Sequence, residues 1–212
     1  MLGFSRGLFR MRDLQEQKNW ERFAGTDLVG RTLVIFGHGA IGREVARLAR
    51  AFGMRVLGVK RRVSGEAPGA HNVDELHEAS SLRAILPRAE FLVLAAPHTN
   101  ETERVLGVEE FRLLPAGAVL INIGRGALVD EPAMIEALQR GHLSGAALDV
   151  FATEPLPLDS PLWTMPNVLL CPHSASTSDR ENGRLTELFC ENLRRFLKGE
   201  PLRNVLDIER LY

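Results

Sequence analysis

The sequence predicts an α/β fold built on a doubly wound parallel sheet. Three observations lead there. Short apolar, β-branched runs alternate with amphipathic helical stretches along the 212 residues. A G-x-G-x-x-G turn, Gly37, Gly39 and Gly42, stands between the first run and the first of those helices. Three ionisable residues, Arg125, Glu154 and His173, each follow closely on a late apolar run.

The chain opens with "MLGFSRGLFRMR", basic, apolar and free of acids. Such a segment resembles an organelle transit peptide, but its apolar spacing reads as an amphipathic leading helix over 1–22 that belongs to the fold. Strands are expected at "TLVIF" (32–36), "RVLGV" (55–59), "FLVLAA" (91–96), "AVLINI" (118–123), "GAALDV" (145–150) and "NVLLC" (167–171), each buried on both faces. Helices are expected at "IGREVARLARAF" (41–52), "LHEASSLRAIL" (76–86) and "DEPAMIEALQRG" (130–141), the last with Asp130 as N-cap and Gly141 as C-cap. "EPLPLDSPLWTMP" (154–166) is a loop. Residues 178–199 form a long amphipathic helix, and "EPLRNVLDIERLY" trails off without a partner strand. The organisation is a leading helix (1–22), a dinucleotide-binding domain (23–172) and a C-terminal crossover helix with its tail (173–212).

Composition narrows the function. A formal charge of −1 gives no reason to bind nucleic acid or an acidic membrane, and no apolar run reaches the length of a membrane span. Of 26 cations only Lys18, Lys60 and Lys198 are lysines, a bias without a physical explanation here. Cys171 and Cys190 fit neither a disulfide framework nor a metal-binding pair, so a reduced cytoplasmic setting and no metal are expected.

Within the glycine turn, the first glycine permits the tight turn, the second lets a pyrophosphate approach backbone, and the third lets helix pack on strand. Helix N-terminal amides then face the phosphate. This identifies a Rossmann-type unit. His38 inside the turn reads as a spacer at the loop surface. Where such units carry an acid for the adenosine ribose, this chain has Lys60, Arg61 and Arg62, followed by Ser64. Cations there offer charge-assisted hydrogen bonds to a 2′-phosphate, so NADP(H) is expected in preference to NAD(H).

Ligands of open α/β sheets lie beyond the carboxyl ends of the strands. Arg125, Glu154 and His173 stand there as a chemically sensible set. A guanidinium forks onto a carboxylate and polarises a carbonyl, an imidazole exchanges the proton that accompanies hydride transfer, and a carboxylate orients the imidazole. Gly124 and Gly126 beside Arg125 are read as leaving room for a flat ring against backbone.

The stretches "GRTLVIFGHGAIGREVARLARAFGMRV", "INIGRGALVDEPAMIEAL", "GAALDVFATEPLPLDSPLWTMPNVLLCPHSA" and "ENLRRFLKGEPLRNVLD" resemble the cofactor-binding half of the D-isomer-specific 2-hydroxyacid dehydrogenases. The resemblance implies that Arg125 holds the substrate carboxylate and carbonyl oxygen, His173 is the acid/base, and Glu154 is its paired carboxylate. It implies that Asp149 meets the nicotinamide carboxamide and that Thr99, in "APHTNET", lies near the adenosine. Gly37, His38, Gly39, Ala40, Ile41, Gly42, Lys60, Arg61, Arg62 and Pro97 join the cofactor contacts by the same resemblance. So do Ile123, Gly124, Arg125 and His173. Hydroxypyruvate or glyoxylate is the implied 2-oxo acid and a homodimer the implied assembly. A separate flavodoxin-like substrate lobe of roughly one hundred residues, a common domain size, is also implied, with only a remnant of it in this sequence. The alternative is a catalytically silent, corepressor-like nicotinamide-binding module of the same fold.

Overall fold

The computed structural model describes residues 1–63 and 71–205, so Ser64 lies outside the described residues. The chain divides into two compact units, Met1–Pro172 and His173–Tyr212.

The first unit begins with α1 (Leu2–Ser5) and α2 (Leu8–Glu16). One leading helix was expected, and two short ones are present because Gly7 between them takes the left-handed region at φ 66. Phe4 of α1 packs on the core and Ser5 is buried. The sheet follows: β1 (Thr32–Phe36), α3 (Ala40–Ala51), β2 (Arg55–Lys60), β3 (Glu75–Glu78), α4 (Leu82–Ile85), β4 (Phe91–Leu94), α5 (Val108–Leu113), β5 (Ala118–Asn122), α6 (Glu131–Gln139), β6 (Leu143–Leu148) and β7 (Val168–Leu170).

Seven parallel strands lie in the order β3-β2-β1-β4-β5-β6-β7. The order reverses between β1 and β4, where the sheet winds outward in both directions and a crevice forms beyond the carboxyl ends. The doubly wound expectation is met. Residues alternate between two core layers: Leu33 and Ile35 of β1 join Ala46 and Ala49 of α3 on one face, whereas Val34 and Phe36 join Leu92, Leu94 and Leu120 on the other. Complete burial of β4 and near-complete burial of β1 and β2 explain their unbroken apolar sequences.

Two expectations need correction. Residues 76–78, read as the start of a helix, are in strand β3, paired in parallel with β2 from Leu57↔Glu75 to Lys60↔Glu78. Leu76 packs on the core below, and Glu75 binds Arg55 of β2 and Arg88. Tertiary pairing outweighs the helical preference of "LHEA". The helix that remains there is α4, flanked by 3₁₀ turns at Ala79–Ser81 and Leu86–Arg88. The strand in "NVLLC" is three residues long and is not buried on both faces, because β7 is the sheet edge and Leu169 is exposed.

Helix α6 starts as expected: the Asp130 side chain accepts a hydrogen bond from the Ala133 N–H at 3.1 Å, and Gly141 beyond its end has φ 69. In the second unit, α7 (Glu181–Leu197) is the amphipathic helix anticipated over 178–199. Residues 200–205 of the tail fold back on it, with Asn192 exchanging hydrogen bonds with the backbone of Arg203 at 2.8 and 3.0 Å. Among the described residues no helix is long and apolar enough to cross a membrane.

Candidate active site at the carboxyl edge of the sheet

Parallel strands deliver all their carboxyl ends to one edge, so the segments after β1, β2, β4, β5 and β6 share it. The glycine turn follows β1. Gly37 has φ 99, and a Cβ there would lie 2.3 Å from the Ala96 N, so only glycine fits. A Cβ at Gly42 would lie 2.4 Å from the Gly37 carbonyl oxygen, which is how α3 closes onto the turn. At Gly39 the same direction is open, with nothing within 4 Å among the described residues. Gly37 and Gly42 thus take the steric roles that their spacing implied.

The N–H groups of Gly37 and His38 both donate to the Val59 carbonyl, at 3.0 and 2.9 Å. Helical bonding of α3 begins with Arg43 N–H to Gly39 C=O. The amides of Gly39, Ala40, Ile41 and Gly42 therefore precede the first helical bond, with no side-chain cap and no acid in the first turn. Gly39, Ala40 and Ile41 are exposed. An open glycine, a helix N-terminus without an acid and an exposed first turn fit an incoming diphosphate.

His38 departs from its expected place. It is not a surface spacer: at 3% exposure its ring lies under Gly58 of β2, with Nε2 3.1 Å from the His71 carbonyl oxygen. Its edge faces the His71 ring with centroids 5.9 Å apart. Burial lowers its pKa and favours the neutral ring. With ring and amide both turned inward, its side chain props the turn from behind.

Lys60 ends β2, and Arg61 and Arg62 follow it, exposed. Arg61 Nη2 lies 3.0 Å from Glu101 Oε1 in the loop after β4. That loop is shaped by Thr102, whose hydroxyl donates to the Pro97 carbonyl at 2.8 Å and accepts from the Thr99 N–H at 2.8 Å.

The segment after β5 carries Ile123, Gly124 and Arg125. Ile123 N–H continues the sheet by donating to the Leu94 carbonyl at 3.1 Å. Asn122, the last residue of β5, was not singled out from sequence, yet its side chain builds the turn: Nδ2 donates to the Arg125 carbonyl at 3.0 Å and Oδ1 accepts from Gly124 N–H at 3.1 Å. An amide at the end of an apolar buried strand is the signal that could have found it. Arg125 is exposed and extended, its Nη1 donating to the Gly124 carbonyl at 2.7 Å.

The room expected at Gly124 and Gly126 is not open space. A Cβ on Gly124 would come within 2.8 Å of the Ala96 carbonyl oxygen, and one on Gly126 within 1.9 Å of the Phe151 carbonyl oxygen. These glycines let the segments after β4, β5 and β6 lie backbone against backbone, which fixes where Arg125 emerges. Asp149, buried directly after β6, donates its N–H to the Asn122 carbonyl at 3.0 Å. Glu154 Oε1 accepts from Phe151 N–H at 3.0 Å, closing the loop that follows. Arg125, Asp149 and Glu154 thus belong to adjacent strand ends of one unit.

His173 opens the second unit, three residues beyond the last residue of β7. Its φ of 50 places it in the left-handed region, uncommon outside glycine and associated with functional positions. Among the described residues no group of three or more His, Cys, Asp or Glu could hold a metal ion.

Comparison with known proteins agrees with this fold. The NAD binding domain of the D-isomer specific 2-hydroxyacid dehydrogenases matches residues 1–175. A glyoxylate reductase of Korarchaeum cryptofilum is 40% identical over 188 residues, covering 87% of this chain and 54% of that protein. A D-3-phosphoglycerate dehydrogenase of Methanocaldococcus jannaschii is 34% identical over 217 residues, covering all of this chain and 40% of its own length. The chain therefore spans about half the length of such relatives, or less. The solved NADPH-dependent glyoxylate/hydroxypyruvate reductase of Sinorhizobium meliloti, in complex with NADP and sulfate, superposes with a TM-score of 0.89 at 33% identity, covering 100% of this chain and 66% of that one. A D-isomer specific 2-hydroxyacid dehydrogenase of Xanthobacter autotrophicus, in complex with NADPH and MES, gives a TM-score of 0.87 at 34% identity, covering 100% and 85%.

Proposed function

The chain belongs to the D-isomer specific 2-hydroxyacid dehydrogenases, and from that premise we propose that it is the NADP(H)-binding part of an oxidoreductase that interconverts a small 2-oxo acid, glyoxylate or hydroxypyruvate, with its D-2-hydroxy acid. The observation that carries this reading is the shared sheet edge, where an open glycine turn and an exposed arginine stand at strand ends on both sides of the switch point. When bound, the nicotinamide supplies hydride chemistry. The protein's own groups do the rest.

In this reading the amides at the start of α3 bind the diphosphate, and Lys60, Arg61 and Arg62 bind the adenosine 2′-phosphate. Pro97 and Thr99 border the adenosine side, and Ile123, Gly124 and Asp149 border the nicotinamide. The Arg125 guanidinium holds the substrate carboxylate and polarises the carbonyl oxygen. His173 delivers a proton to that oxygen in reduction and removes it in oxidation, while Glu154 orients the imidazole. Glyoxylate reductases and NADP complexes among the relatives support this choice of substrate and cofactor.

The proposal assigns residues 1–22 to a leading interdomain and dimer segment, 23–172 to dinucleotide binding and 173–212 to the crossover helix and tail. A cytoplasmic homodimer completes it, supported by the exposed apolar side chains of Leu8, Met11 and Trp20 in the leading segment. Fluorescence titration of the purified chain with NADPH and NADH tests the cofactor reading. Tighter binding of NADPH is expected, weakened by Arg61→Ala. A folded chain that binds neither overturns the reading.

A further inference from the structure

The ion pair between Arg61 and Glu101 has a place that its surface character does not explain. Arg61 directly follows β2 and Glu101 lies in the loop after β4, and these two strands flank β1 on opposite sides. The pair therefore crosses the carboxyl end of β1, where the glycine turn begins. Its distance is 3.0 Å, and both side chains are well exposed, at 47% and 63%, so an ion in solution can reach either partner. The loop presenting Glu101 is held by the Thr102 bonds to Pro97 and Thr99, which gives the carboxylate a defined anchorage.

We propose that Glu101 is a specificity-determining residue of the adenosine pocket, a carboxylate that competes with a 2′-phosphate for Arg61. The inference rests on the NADP(H) reading above and adds a residue to it. A guanidinium that already holds a carboxylate must release it before it can fork onto a phosphate. The displaced carboxylate then repels that phosphate over a short distance. A ribose without the 2′-phosphate meets no such competition, because its hydroxyl can donate to Glu101 while the ion pair stays closed. Glu101 thus supplies, from across the crevice, the acid that dinucleotide-binding units commonly carry at the end of the second strand. Its effect is to narrow the preference for the phosphorylated cofactor that the three cations create.

Glu101→Gln keeps the shape of the side chain and removes its charge. Titration of the purified chain with 2′,5′-ADP and, separately, with 5′-AMP isolates the phosphate, since neither probe carries a nicotinamide. The variant should bind 2′,5′-ADP about three- to tenfold more tightly, as fits an exposed pair plus one removed like charge. Binding of 5′-AMP should be unchanged or weaker. The gain should shrink at high salt and disappear in Arg61→Ala/Glu101→Gln. An unchanged melting temperature for Glu101→Gln would show that the fold is intact.

Loss of 2′,5′-ADP affinity in Arg61→Ala without any gain in Glu101→Gln would overturn the competition and leave the cofactor reading standing. A gain that persists in the double variant would also overturn it, because Glu101 would then act without Arg61. If the wild-type chain does not distinguish 2′,5′-ADP from 5′-AMP, the cofactor reading fails and this inference fails with it.

Discussion

Replacing Asn122 with Ala tests whether the turn that presents Arg125 is built by one side chain. Asn122 is 1% exposed, and its amide spans the turn with bonds of 3.0 Å to the Arg125 carbonyl and 3.1 Å from Gly124 N–H. The two losses are unequal. The Arg125 carbonyl keeps a second partner, Leu128 N–H at 3.2 Å, so losing the amide costs it an ordinary net hydrogen bond of about 1 kcal/mol. Gly124 is buried against Ala96, and its N–H would lose the partner it has; an unsatisfied buried donor costs about 1–3 kcal/mol. Together the change should destabilise the chain by about 2–4 kcal/mol.

Urea denaturation of wild type and Asn122→Ala measures this directly. Asn122→Asp adds a sign: its carboxylate still accepts from Gly124 N–H but repels the Arg125 carbonyl, so the variant should regain stability as pH falls and the acid becomes a donor. A difference below about 0.5 kcal/mol between Asn122→Ala and wild type, the range of an ordinary surface substitution, would refute the assignment of the turn to this side chain.

Two further outcomes are expected. Glu75 is held by Arg88 foremost, and by His77 and Arg55, with its carboxyl pulled down from 4.5 to about 2. A depressed carboxyl contributes stability that is present above the unfolded value and lost as pH falls through the folded one. With 28% of the side chain exposed, its contribution is about 1–3 kcal/mol. The gap in unfolding free energy between wild type and Glu75→Gln should therefore be constant above about pH 5 and close between pH 4.5 and about 2; a gap that ignores pH in that window would show that charge is not what Glu75 contributes. For the proposed reaction, measured with this chain joined to a substrate lobe, His173→Ala should lower glyoxylate or hydroxypyruvate turnover by about a hundredfold to ten-thousandfold, a far larger change than any in NADPH affinity, and turnover that survives would remove His173 from proton transfer.

What the sequence made legible follows from how locally each feature is determined. A strand buried on both faces must be apolar along its whole length, so β1, β2, β4 and β5 announce themselves without reference to the rest of the chain. The N-cap of α6 is equally local, because Asp130 and the amide it accepts from are three residues apart. Strand β3 is the opposite case. "ELHE" has no β-branched residue, and only β2 alongside it and two arginines from elsewhere make it a strand. No reading of residues 75–78 by themselves contains that information.

The site divides along the same line. The glycine turn was legible because steric needs at Gly37 and Gly42 come from residues a few positions away or from the next strand over. The position of His38 was not, although a trace of it was present: Gly58 interrupts the apolar run of Val56, Leu57 and Val59, and a glycine there often marks something lying close. The ring fills that space, with its Cγ 3.0 Å from where a Cβ on Gly58 would stand. Likewise Gly124 and Gly126 read, in the sequence, as room for a ligand, whereas their missing side chains admit the backbone of Ala96 and Phe151. A glycine beside a functional residue can serve ligand or scaffold, and only the neighbour across the gap decides which. At Gly39 no such neighbour stands among the described residues, so the turn stays open on that face, unlike the glycines beside Arg125.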